Sequence, residues 1–194
     1  PHIDELTDTK AVAARIFSLQ LLLNGALSIE SGHRHAVPIS FDSFHSTNGG
    51  NSSYASYSPI EEYPFRSDSL SSPRPLGRSD PKQRLASYAL YLSKKDDPIR
   101  NLLFLVGLLA NNSPVETILS WATLYRIHDC AKTYSADLGI AYDSLADKSE
   151  IERFTAACNN MSILGLNARH GATRNKPPTR VITDYEEAEG LLLP

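Results

Sequence analysis

Cysteine is almost missing from this chain of 194 residues: there are two, Cys130 and Cys158, alongside one methionine and one tryptophan. Two cysteines set in helix-like apolar stretches exclude a disulfide scaffold and a cysteine-rich metal cluster, so both read as reduced core residues. Charge of one sign is lacking too. A formal net charge of −3 gives no global attraction for nucleic acid or an anionic membrane, and leaves only a local basic patch as a route to either. Long hydrophobic runs are absent, the longest being Leu102 to Ala110, far below the roughly 20 residues of a membrane span. No basic-then-apolar leader opens the sequence, and a soluble, cytoplasmic protein is expected, with no membrane partner. There is no Gly-rich loop ending in Gly-Lys-Ser/Thr, no Gly-x-Gly-x-x-Gly, no Gly-x-Ser-x-Gly and no His-Glu-x-x-His. Those absences remove P-loop, dinucleotide-binding, nucleophile-elbow and zinc-protease readings, and no cofactor or metal is implied.

What is present is mostly helical punctuation, and 41% hydrophobic residues are enough for one substantial core, read as a single domain over 1–194. Residues 8–24 carry apolar Val12, Ile16, Leu19 and Leu23 on one helical face, with Thr7 or Asp8 as cap and Asn24-Gly25 as stop. Residues 26–58 alternate apolar and polar positions in ALSIE and VPISFDSF, the pattern of a small β-rich annex. Within it His33-Arg34-His35, with Asp42 and His45 nearby, reads as a solvated turn rather than a metal site, because two histidines beside a glycine do not define ligand geometry. Residues 59–79, rich in serine and proline, read as an irregular loop.

From residue 81 to 193 the pattern is a helical bundle. Asp80-Pro81 and Asp97-Pro98 announce two helices. Ser113-Pro114-Val115-Glu116, Ser149-Glu150-Ile151-Glu152 and Thr183-Asp184-Tyr185-Glu186 are capping boxes for three more. The expected helices cover 81–93, 98–110, 114–136, 150–164 and 184–193, with inward stripes that include Leu85, Tyr88 and Leu92, then Ile99, Leu102, Leu103 and Val106, then Ile118, Trp121, Leu124, Tyr125 and His128.

Two places hold candidate chemistry. In WATLYRIHD, Tyr125 and His128 share the face of Trp121 and Leu124, while Arg126 and Asp129 lie opposite, at a spacing that allows an ion pair. A core helix with a solvated outer face explains this; the functional reading has Tyr125, Arg126 and His128 lining a substrate-binding cleft. In GLNARHG, Asn167, Arg169 and His170 follow the end of a helix, where the macrodipole alone favours cations. The group also suits phosphate, since arginine grips it bidentately, histidine exchanges a proton near neutral pH, and Arg174 and Lys176 continue the basic stretch.

The WATLYRIHD helix, the GLNARHG junction and the Pro-Pro break before DYEEAEGLLLP resemble the HEPN-type helical domains of bacterial abortive-infection and toxin-related proteins. The resemblance implies a mainly α, up-and-down bundle that often dimerises, to which the β annex would be appended. It also implies a metal-independent ribonuclease, with RNA or a protein of a defence or toxin system as partner. Carried to this chain, it makes His170 the proton-transfer group, Arg169 the phosphate clamp and Asn167 their orienting neighbour. Active members place His after Arg with four to six residues between, whereas Arg126–His128 and Arg169–His170 are closer. That departure favours the alternative reading of a non-catalytic helical module for partner binding or regulation.

Overall fold

The structure is a computed structural model that describes residues 2–32, 36–41, 44–45, 52–53, 59–66, 82, 84–110, 114–170 and 178–193. Its elements in chain order are α1 (Thr9–Ser31), β1 (Phe44–His45), β2 (Ser52–Ser53), α2 (Leu85–Leu92), α3 (Asp97–Leu109), α4 (Pro114–Asp137), α5 (Lys148–Cys158), α6 (Met161–Leu164) and α7 (Tyr185–Leu192), with 3-10 turns at Tyr142–Ser144 and Gly165–Asn167. The protein is mainly helical. It divides into two compact units, Pro1–Gly107 and Leu108–Pro194.

In the first unit α1 is central, and it is longer than the expected 8–24. Asp8 caps it, accepting from the Ala11 amide at 2.9 Å, but Asn24-Gly25 does not stop it. The reason is α3. A methyl group on Gly25 would overlap the Leu103 carbonyl, and one on Gly107 would overlap that of Leu21, so the two glycines let the helix backbones touch. Gly25 is therefore a crossing point inside a helix, and residues 26–30, expected as a strand, belong to its last turns. A helix of this length and composition could also cross a membrane, a property hidden from a search for unbroken apolar runs.

Much of α1 is buried on all sides, its polar residues included, and these hold neighbouring segments. Asn24 receives the Ile39 amide on Oδ1 at 2.8 Å and donates Nδ2 to the Ile39 carbonyl at 2.9 Å; one turn earlier Gln20 Oε1 accepts from the Phe41 amide at 2.8 Å. Ile39 and Phe41 thus bond to side chains of a helix, and residues 36–41 enter no sheet. The antiparallel pairing of β1 with β2, Phe44 opposite Ser53 and His45 opposite Ser52, is all the β structure among the described residues. Farther up α1, Arg15 binds both carboxylate oxygens of Glu61 at 2.9 and 2.6 Å, Glu5 at 2.8 Å and the His2 carbonyl at 3.0 Å. Such multiple pairing is what a nearly buried guanidinium requires. The α2 face is turned by one position from the expected one, burying Ala86 and Ala89 while Leu85 is exposed.

The second unit is built around α4, whose Trp121, Leu124 and Ile127 are buried with Phe154, Ala157 and Cys158 of α5, Ile182, and Ala188 of α7. Two capping assignments shift. Asp147, not Ser149, caps α5 by accepting from the Glu150 amide at 3.0 Å, and Asp184, not Thr183, caps α7 by accepting from the Glu187 amide at 2.8 Å. In each case a neighbouring carboxylate takes the role, a charged acceptor at the positive end of the helix. Asp96 likewise caps α3 one residue before the expected Asp97, accepting from the Ile99 amide at 3.1 Å. The caps at Asp80 and Ser113 lie outside the described residues. The expected 150–164 helix is broken at Asn159-Asn160, where Asn160 Oδ1 accepts from the Ser162 amide at 3.0 Å and starts α6 as a separate turn.

Candidate functional site

The break after Cys158 creates the site. An α-helix ends with carbonyls that have no partner in the helix, and the chain must find donors for them. The short α6 and its following 3-10 turn, entered through Gly165 at φ 58°, return the chain so that the Arg169 amide donates to the Cys158 carbonyl at 2.7 Å. Arg169 is thereby tied by its backbone to the end of α5, and its side chain lies over α4. Its guanidinium carbon is 4.1 Å from the centroid of the Tyr125 ring.

Tyr125 is itself held from below. Its ring stacks with Phe154 at 6.5 Å and 26°, and Phe154 stacks in turn with Trp121 at 6.2 Å and 18°. His128, one turn along α4, meets Tyr125 edge-on at 5.8 Å and Phe154 at 6.1 Å. Its Nδ1 lies 2.9 Å from the Tyr142 hydroxyl, in the 3-10 turn beyond α4. His128 is only 5% exposed; burial, reinforced by the Lys132 ammonium, lowers its pKa despite the opposing Asp129 carboxylate. Burial also raises the pKa of the Tyr142 phenol, so the pair is neutral at physiological pH. This is a support for the Tyr125 shelf and not a surface acid or base.

The expected residues therefore separate by position. Tyr125, His128 and Arg169 are brought together; Asn167 is half-buried at the end of the 3-10 turn; His170 is exposed beside Arg169. Arg126 is exposed and forms no ion pair with Asp129 among the described residues. Arg174 and Lys176 lie outside the described residues, as do His33, Arg34, His35 and Asp42. Tyr142 and the Cys158 carbonyl have parts that no spacing rule announces, because Tyr142 sits in a loop with no period and the carbonyl becomes available only through the Asn159-Asn160 break. That Asn-Asn pair was the one legible signal. Cys158 is buried, which pushes its thiol up to about 12 and leaves it an inert core residue.

The result is a guanidinium whose position is fixed at both ends of its side chain, yet which is exposed and has no carboxylate partner among the described residues. A cation held in that way keeps its N–H edges for an anion from solution. The chain matches no family model, no curated protein and no solved structure.

Proposed function

We propose that the second unit is an RNA-binding helical module of HEPN-like type, acting as a metal-independent ribonuclease of a bacterial defence or toxin-related system. The observation that carries this reading is the exposed Arg169 guanidinium, without a carboxylate partner among the described residues, seated on Tyr125 with His170 next to it. Arg169 would hold a phosphodiester by two parallel hydrogen bonds and stabilise the charge that grows on its oxygens. His170 would take the proton of the ribose 2′-hydroxyl as the O2′–P bond forms and the P–O5′ bond breaks, water protonating the leaving oxygen. No metal is required for that step.

The test is EDTA-treated protein incubated with labelled single-stranded RNA. Cleavage should fall about 100-fold or more in His170→Ala at an unchanged thermal midpoint, the usual scale of a lost acid–base group. Arg169→Lys should also impair it, because lysine keeps the charge and loses the fork. Intact RNA after incubation with well-folded wild type would refute catalysis.

A second reading, a non-catalytic module that binds RNA or a protein partner, is favoured by one observation: His170 has no hydrogen-bond partner among the described residues to set its tautomer and direction. On that reading binding survives His170→Ala and RNA remains uncut. A two-fold homodimer whose axis passes beside Arg169 would bring a second Arg169–His170 pair to the site, and light scattering tests whether the chain dimerises.

A further inference from the structure

The Tyr125 ring covers the Arg169 guanidinium from one side, with the guanidinium carbon over the ring. Trp121, Phe154 and Tyr125 follow one another through ring stacking at 6.2 and 6.5 Å, and the Arg169 guanidinium carbon lies 4.1 Å over the last ring; the three rings are in the core or at its margin and Arg169 is exposed. The series begins on buried Trp121 and stops at a charged plane open to water. Among the described residues no neighbouring group closes it: His170 is exposed, Asn167 is half-buried, and no carboxylate reaches the guanidinium.

We infer that the outer face of Arg169 is a stacking platform for one unpaired nucleobase, so that the ligand is single-stranded RNA and not duplex. The inference rests on the RNA reading above and specifies what the same site recognises. Three physical points support it. A guanidinium plane is weakly hydrated on its faces and hydrated along its edges, so an apolar ring covers the face without removing the hydrogen bonds that hold phosphate. A cation sandwiched between tyrosine below and a base above is attracted by both π clouds, and the lower ring is already paid for by the fold. Bases inside a helix have both faces stacked on neighbours, so only a splayed, single-stranded base can offer one. The backbone hydrogen bond from Arg169 to Cys158 removes much of the freedom that an ordinary surface arginine would lose on binding.

The experiment measures equilibrium binding of the full chain to three labelled oligonucleotides of equal phosphate number: a single-stranded RNA, the same strand made abasic, and a blunt RNA duplex. EDTA is present, and the 2′-hydroxyls are methylated to prevent cleavage. The base-bearing strand should bind about tenfold tighter than the other two, the scale of one base stacked on a protein π face. Arg169→Lys should bring it down to the abasic level, and Tyr125→Leu should do the same by removing the shelf. Tyr125→Phe, which keeps the ring, should retain the preference and so controls for a folding defect. If wild type binds base-bearing and abasic strands equally, the platform is refuted while phosphate recognition stands. Failure to bind any of the three refutes the RNA reading and the platform with it.

Discussion

His128 shows how a single titratable side chain is decided by what surrounds it. Its ring is enclosed by Tyr125, Phe154 and Tyr142, and its pKa is depressed first by burial and then by Lys132. In the unfolded chain the same imidazole titrates near its ordinary value of about 6.5, so below that pH the unfolded state binds more protons than the folded one. The stabilising difference is complete above about pH 6.5 and is lost as pH falls toward the depressed folded value. Urea denaturation between pH 7 and pH 5 should therefore show stability falling with acidity, less steeply in His128→Gln. His2, also depressed, leaves part of the slope in place. An unchanged slope in the variant would mean that His128 is solvated.

At the scale of elements, the acidic caps and the glycine crossing make separate statements. The α5 start hangs on Asp147, so Asp147→Ala should lower stability by about 1 kcal/mol, while Ser149→Ala, inside the first turn and exposed, should be close to neutral. Equal losses would return the cap to Ser149. For α1 and α3 the expected effect is larger. Gly25→Ala places a methyl group against the Leu103 backbone, which has no rotamer by which to yield, and should cost about 1–3 kcal/mol as an overpacking strain, seen as a lower thermal midpoint. A stabilised variant, as intrinsic helix propensity alone would give, would show that the helices do not meet there.

Over the whole molecule, charge limits how RNA would be held on the proposed reading. The second unit contains eight lysines and arginines against eleven carboxylates, so the net charge of −3 belongs entirely to the unit that bears Arg169. An extended phosphate-tracking groove does not fit that balance, whereas a local clamp with stacking does. Binding of single-stranded RNA should therefore weaken only mildly with salt. The log–log slope should lie at about −1 to −2, since each neutralised phosphate of a single strand contributes about −0.7. A slope steeper than about −4 would point to an array of cations and against a single clamp.

The helical character, the approximate places of α3, α4 and α7, and the inward face of Trp121 and Leu124 follow from the sequence alone, because caps and apolar periodicity act within one or two turns of chain. The adjacency of Arg169 and His170 is likewise covalent. Local rules failed wherever a distant backbone or side chain took over. Gly25 reads as a stop until the Leu103 backbone shows why no Cβ is tolerated in mid-helix, and Asn24 reads as a terminator until Ile39 uses it as a strand edge. ALSIE alternates like a strand yet is helical, since burial on every side of α1 overrides a two-residue period. The seating of Arg169 on Tyr125 depends on the 43 residues of intervening chain returning through the Cys158 carbonyl. No periodicity reports a contact of that range, because it arises from packing after the helices exist, and tertiary structure alone decided it.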